Sequence, residues 1–123
     1  MLKVLIADDE EKICQLIIKL INWEEMGLKI AATASNGIEA LEQAKICKPE
    51  ILITDIRMPG IDGMELIRKV KEKLPDTEII IISGYRHFEY AQTAIRYGVR
   101  NYLLKPIKKE ELRDTLQKIA DIY

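Results

Sequence analysis

The fold is decided by the stretch ILITDIRMPG, residues 51–60. Its first four residues form an apolar run, which is typical of a strand covered on both faces. Asp55 follows immediately, and Pro59-Gly60 indicates a turn shortly after it. This stretch therefore places a carboxylate at the point where a buried strand gives way to a loop.

Three other apolar runs also end in polar groups. Asp8-Asp9 follows the run 4–7, Ser83 follows the run 78–82, and Lys105 follows the run 102–104. Acids, a hydroxyl and an amine thus occur at the ends of strand-like segments. If the strands are parallel neighbours, these groups share one edge of a sheet and form a single site.

Helical patterns separate the strand-like runs. The predicted strands are 3–7, 28–34, 50–55, 77–82 and 99–104. Three predicted helices have the ranges 11–21, 88–97 and 108–123. Of the other two predicted helices, one begins at Asn36-Gly37 and ends before Pro49, and one is capped by Asp62 and ends at Pro75. In the first helix Ile13, Leu16, Ile17 and Leu20 fall at helical spacing. Strands alternating with helices predict right-handed βαβ units, a parallel sheet and one α/β domain over residues 1–123.

Composition excludes several classes of protein. The 123 residues are 48% hydrophobic and 32% charged, as expected of one globular domain, and the net charge of -1 argues against binding nucleic acid through bulk electrostatics. No apolar stretch is long enough to span a membrane, and no signal-peptide layout is present. Cys14 and Cys47 lack metal-site spacing, and we expect reduced thiols in a cytoplasmic protein.

The polar groups at the strand ends suit phosphoryl chemistry. Asp8, Asp9 and Asp55 would repel one another if packed together, and a hard divalent cation such as Mg²⁺ would relieve that repulsion. Lys105 and Ser83 would suit the remaining oxygens of a phosphoryl group. The chain has neither a P-loop nor a dinucleotide glycine motif, so an aspartyl phosphate on the protein itself fits better than a bound nucleotide.

The combined motifs resemble those of bacterial response-regulator receiver domains. The resemblance rests on Asp8-Asp9, Asp55, Ser83 and Lys105-Pro106 in this order, with Met58-Pro59-Gly60 and Asp62-Gly63 after the central acid. It extends over residues 2 to about 121. It implies a flavodoxin-like fold whose five-stranded parallel sheet has the order 2-1-3-4-5.

The resemblance also implies a role for each acid. Asp55 resembles the phosphoacceptor nucleophile. Asp9, Asp55 and the backbone carbonyl of Arg57 resemble the direct ligands of Mg²⁺ (or Mn²⁺), while Asp8 resembles an acid that acts mainly through water. These acids and that carbonyl would together form the metal site.

The remaining family positions concern the phosphoryl group and the response to it. Ser83 resembles the hydroxyl that turns toward the phosphoryl group, and Lys105 resembles its charge partner. Lys105-Pro106 resembles a cis peptide. Tyr102 resembles an aromatic switch that moves inward with Ser83, although a core aromatic is the alternative. The response would reshape the face formed by helix 4, strand 5 and helix 5.

Two further residues are expected to tune the lifetime of the phosphate. Arg57 lies two residues after Asp55, and Tyr85 lies two residues after Ser83. Both should border the phosphoryl group and the path of attacking water. We expect substitutions at these positions to change the rate of autodephosphorylation.

The resemblance implies partners as well. A sensor histidine kinase would supply the phosphoryl group, and phosphorylation could drive a homodimer. The segment 84–91, together with 21–23, resembles receivers that precede an AraC-type helix-turn-helix domain. We therefore expect a C-terminal DNA-binding domain in a longer protein, with no direct nucleic-acid contact and no membrane contact by this chain. The domain would catalyse only its own phosphorylation and dephosphorylation.

Three other interpretations share features with this sequence. A stand-alone receiver or phosphorelay protein would need no output domain. A phosphatase of the haloacid-dehalogenase type also uses an aspartyl phosphate, but it needs a second acid two residues after the nucleophile, where this chain has Arg57. A flavodoxin-like electron carrier would have a Ser/Thr/Gly-rich phosphate loop after strand 1, where this chain has Asp8-Asp9-Glu10.

Overall fold

The computed structural model describes residues 1–84, 88–99 and 101–123. Its strands are β1 (Leu2–Ala7), β2 (Leu28–Ala34), β3 (Ile51–Thr54), β4 (Glu78–Ser83) and β5 (Asn101–Leu104). Its helices are α1 (Glu11–Leu20), α2 (Gly37–Cys47), α3 (Gly63–Lys73), α4 (Phe88–Arg96) and α5 (Lys109–Ile122), with a 3-10 turn at Glu24–Met26. The alternation predicted from the sequence is confirmed.

The five strands form one parallel sheet in the order β2-β1-β3-β4-β5. This is the flavodoxin-like order that was expected. β2 lies on one side of β1, and β3, β4 and β5 lie on the other. The strand order therefore reverses between β1 and β3, and a crevice opens beyond the carboxyl ends of these two strands. Register pairs Ala7 with Thr54 and Thr54 with Ile81, which brings the loops after β1, β3 and β4 to the same edge.

Successive residues of the central strands point to opposite faces of the sheet, and each face has its own core. Leu5, Leu52 and Ile81 pack on the face covered by α2, α3 and α4. Ile6, Ile53 and Ile80 pack on the face covered by α1 and α5. Burial on both faces explains why these strands read as continuous apolar runs rather than as alternating ones.

The apolar residues of α1 are not equally buried. Leu16, which belongs to the same helical pattern as Ile17, is 41% exposed, whereas Cys14 and Ile17 are buried. The helix is rotated so that Cys14, Ile17 and Ile21 contact the sheet, and Leu16 lies at the margin of that face. A leucine at helical spacing indicated the correct helix but not the correct centre of its buried face.

Local signals set the helix ends. Asn36 caps α2 by accepting from the Glu39 amide at 2.8 Å, and Asp62 caps α3 by accepting from the Glu65 amide at 2.9 Å. Thr77 was predicted to begin β4, but its amide donates to the Leu74 carbonyl and its hydroxyl to Pro49. Thr77 therefore belongs to the turn, and β4 begins at Glu78 and continues through Ser83.

Among the described residues no helix is long and apolar enough to cross a membrane. Cys14 and Cys47 are both free thiols. Burial raises the pKa of each, so neither has the character of a reactive thiolate.

Candidate functional site

The carboxyl ends of β1, β3, β4 and β5 bring the predicted site residues together. Asp8 follows β1, Asp55 follows β3, and Lys105 follows β5. Ser83 is the last residue of β4 and is completely buried. The Lys105 amide donates to the Ser83 carbonyl at 2.8 Å, which ties the end of β5 to the end of β4.

Lys105 is the centre of the site. Its ammonium Nζ donates to Asp55 Oδ2 at 3.1 Å and to Asp8 Oδ2 at 3.2 Å. Both acids are buried, and the lysine side chain is only 18% exposed. A single cation therefore bridges two carboxylates that come from different strands, in surroundings where water screens charge weakly.

The backbone holds the carboxylate of Asp55 from its other side. Asp55 Oδ1 accepts from the Ile56 amide at 2.7 Å, and the Asp55 amide donates to the Ala7 carbonyl at 3.0 Å. Gly63, the first residue of α3, lies so close that a Cβ there would clash with the Asp55 carbonyl oxygen. The strand ladder, the loop and the start of α3 together fix the position of this acid.

Asp8 is held in a similar way. Its Oδ1 accepts from the Glu10 amide at 2.9 Å, and its own amide donates to the Ala34 carbonyl at 3.0 Å. Burial raises the pKa of Asp8, and the charge of Asp55 adds to the rise, while the Glu10 amide and Lys105 oppose it. The folded protein therefore makes the ionised form of Asp8 less favourable than it is in water.

Lys105 responds in the opposite sense. Burial by itself would lower the pKa of its ammonium, but the hydrogen bonds and charges of Asp55 and Asp8 outweigh burial and raise the pKa. Lys105 is therefore a stable cation at neutral pH. It offsets part of the negative charge that the acids concentrate at this edge of the sheet.

Three acids could hold a metal ion here. One carboxylate oxygen from each of Asp8, Asp9 and Asp55 lies within 4.8 Å of the other two. Asp9 is exposed whereas the other two are buried, so the cluster opens to solvent on the Asp9 side. An all-oxygen donor set that combines carboxylates with open positions for water fits Mg²⁺ or Mn²⁺.

The other predicted residues are placed as follows. Arg57 is exposed on the loop after Asp55 and lines a surface pocket with Met58 and Asp62. Tyr102 is half-buried and packs against the core beneath α3 and α4. The Lys105-Pro106 peptide bond is cis. Tyr85 lies outside the described residues.

Two supporting groups carried no signal in the sequence. The buried Thr54 hydroxyl donates to the Asp55 carbonyl at 2.9 Å, and the Cys14 thiol donates to the Asp8 carbonyl at 3.7 Å. The sequence pattern indicates only a strand residue at Thr54 and a helix residue at Cys14. Their contacts to the acids depend on how the strand ends and α1 meet, which local patterns do not specify.

Comparison with known proteins assigns the family. The family model described as response regulator receiver domain matches residues 4–117, nearly the whole chain. The chain belongs to the response regulator receiver family. Its fold, five parallel strands in the order β2-β1-β3-β4-β5 with five helices, is that expected of a receiver domain.

Relatives of this receiver domain are regulators of transcription. The transcriptional regulatory protein YesN of Bacillus subtilis is 44% identical over 119 residues, which cover 97% of this chain and 32% of YesN. The REC domain of the response regulator AraT from Geobacillus stearothermophilus has a TM-score of 0.93 at 43% identity, covering 98% of this chain and 94% of that one.

The structure of a two component transcriptional regulator AraC from Clostridium phytofermentans is also similar. Its TM-score is 0.90 at 36% identity, with 98% of this receiver domain and 94% of that chain covered. The chain spans between 32% and 47% of the length of curated relatives such as YesN and the transcriptional regulatory protein HptR of Staphylococcus aureus. It therefore corresponds to the receiver part of proteins that are two to three times longer.

Proposed function

We propose that Asp55 is the phosphoacceptor of this receiver domain. The observation that carries the proposal is the bridge from Lys105 Nζ to Asp55 and Asp8, with Asp9 beside them. In the reaction an Asp55 oxygen attacks phosphorus and forms a P–O bond as the P–N bond of a kinase phosphohistidine breaks. The departing imidazole keeps the electron pair of that bond and takes a proton from solvent.

Each neighbour of Asp55 has a task in that reaction. The Ile56 amide orients the carboxylate, and Lys105 offsets charge on the phosphoryl oxygens. Ser83 presents a hydroxyl to the phosphoryl group and with Tyr102 transmits its presence to the face of α4, β5 and α5. Arg57 and Tyr85 set how long the phosphate survives.

Asp8, Asp9 and Asp55 would hold Mg²⁺, with the Arg57 carbonyl as a further ligand. The bound ion would neutralise charge on the phosphoryl oxygens during transfer. The three clustered carboxylates support this assignment, because their mutual repulsion is relieved by a divalent cation. Lys105 alone supplies one positive charge against three negative ones.

The test is phosphorylation by acetyl phosphate with and without Mg²⁺. Intact mass spectrometry should show one added phosphoryl group in the wild type only with Mg²⁺, and Asp55→Asn should show none. Hydroxylamine should remove the group, as expected of an acyl phosphate but not of a serine phosphate. Labelling that persists in Asp55→Asn, or that resists hydroxylamine, would exclude Asp55 as the acceptor.

We further propose that residues 1–123 form the receiver domain of a cytoplasmic transcriptional regulator. The regulatory relatives and the fraction of their length that the chain spans support this role. A sensor histidine kinase would phosphorylate the domain, and a C-terminal AraC-type domain would bind DNA. Light scattering with and without beryllofluoride tests for a phosphorylation-dependent homodimer, and an unchanged mass would exclude it.

A further inference from the structure

The first turn of α2 packs against the loop that carries the site, residues 55–62. The Gly37 amide donates to the Pro59 carbonyl at 3.3 Å. The Ile38 side chain lies over Gly60, where a Cβ would come within 3.1 Å of it. Three consecutive loop residues, 59–61, thus meet two consecutive residues of α2.

Gly37 makes the closest of these contacts. A Cβ at this position would lie far inside 3.0 Å of the Ile61 carbonyl oxygen, a separation that real Cβ atoms essentially never show. The neighbour is backbone and cannot rotate away as a flexible side chain would. Any side chain at position 37 therefore requires the backbone of α2 or of the loop to shift.

Such a displacement matters because the loop is short and carries reactive groups. Asp55 begins the loop, the Arg57 carbonyl proposed to bind Mg²⁺ follows, and Gly63 at its end abuts the Asp55 backbone. Phosphoryl transfer depends on positioning more than on covalent chemistry, and a misplacement of 1 Å lowers such a rate by up to about a hundredfold.

We propose that Gly37 is a positioning residue for phosphoryl transfer to Asp55, acting through Pro59 and Ile61. This inference rests on the proposed function. Because Gly37 has no side chain, α2 can pack directly against the loop. This contact fixes the positions of the nucleophile Asp55 and of the metal-binding Arg57 carbonyl relative to each other. In the sequence the Asn36-Gly37 pair signalled only the start of a helix.

The experiment measures two quantities on purified protein, each corrected for the folded fraction. They are the Kd for Mg²⁺ alone and the rate constant for labelling by acetyl phosphate at saturating Mg²⁺. Gly37→Ala should weaken Mg²⁺ binding by about tenfold or slow labelling by about ten- to a hundredfold. A role confined to stability would change the folded fraction but neither corrected quantity.

The matched control is Asn36→Ala. It removes the cap of the same helix end and lowers stability, but it adds no atom against Ile61. Both quantities should stay within about twofold of the wild type. If Gly37→Ala also stays within twofold, or if Asn36→Ala changes as much as Gly37→Ala, the positioning role is refuted.

A second pair of variants decides the question if Gly37→Ala does not fold. Ile38→Ala removes the side chain over Gly60, and Ile46→Ala removes an isoleucine that is 75% exposed at the far end of α2. Ile38→Ala should slow labelling at least about threefold while Ile46→Ala leaves it unchanged. Equal rates in both would refute the proposal.

The wild type and Asp55→Asn distinguish a failure of the proposed function from a failure of the role of Gly37 alone. A wild type that takes up no phosphoryl group with Mg²⁺ would overturn the proposed function and the role of Gly37 with it. Labelling that is lost in Asp55→Asn but unaffected by Gly37→Ala would overturn the role of Gly37 alone.

Discussion

Removal of the Lys105 charge should destabilise the protein strongly at neutral pH without Mg²⁺. Lys105→Met keeps an unbranched side chain that is one heavy atom shorter, and it leaves the buried carboxylates of Asp8 and Asp55 without their shared cation. Oxygens of these acids lie within 4.8 Å of each other. At an effective dielectric constant of about 20, two unit charges at that distance repel by about 3.5 kcal/mol.

The expected loss follows from this repulsion and from the penalty for a broken buried ion pair. Removing one partner of such a pair costs about 3–5 kcal/mol, and the lower end applies because the Lys105 side chain is partly exposed. We expect a loss of about 3 kcal/mol, equivalent to a decrease in Tm of about 12 °C for a domain of this size. Mg²⁺ should restore much of it, since a divalent cation neutralises the same oxygens.

Urea unfolding followed by fluorescence of Trp23 measures this loss. Trp23 is the single tryptophan, is buried, and donates to the Ile18 carbonyl. Lys118→Met, at an exposed lysine of α5, is the control and should change stability by less than about 0.5 kcal/mol. A loss below about 1 kcal/mol for Lys105→Met, or an equal loss in an Asp55→Asn background, would refute the reasoning.

Other variants test neighbouring parts of the site. Burial raises the pKa of Asp8 above its ordinary 3.8, so its ionisation reduces folding stability as pH rises through the interval above 3.8. Asp8→Asn should therefore be more stable than the wild type at pH 7, and urea midpoints should converge as pH falls toward 3.8; a gain independent of pH would contradict this. Gly63→Ala should lose about 1–3 kcal/mol in urea unfolding because its Cβ would clash with the Asp55 carbonyl, and a stabilised variant would show that the loop yields freely. Asp62→Ala should cost about 1 kcal/mol through the lost cap of α3, whereas Asp62→Asn should cost much less, as calorimetry can show.

Much of the fold was predictable because its signals are local. β1, β3 and β4 are buried on both faces, and a strand in that environment has a continuous apolar sequence that can be recognised without knowledge of its neighbours. The start of α2 at Asn36-Gly37 and the cap of α3 at Asp62 were predictable, because Asn36 and Asp62 each accept from an amide three residues away. The buried face of α1 was less predictable, since the packing of the helix on the sheet leaves Leu16 exposed and Cys14 buried.

By itself the sequence determined the alternation of strands and helices, the parallel sheet, and which polar residues stand at its carboxyl edge, whereas the strand order was implied by the resemblance to receiver domains. Parallel strands direct their carboxyl ends to one edge, so acids at the ends of β1 and β3 and a lysine at the end of β5 had to converge. Only the tertiary structure decided that Lys105 Nζ bridges Asp8 Oδ2 and Asp55 Oδ2 at 3.1–3.2 Å. It also decided that Gly37 of α2 packs against the loop after β3. These contacts join residues distant in the chain, and their distances depend on how whole helices pack against the sheet.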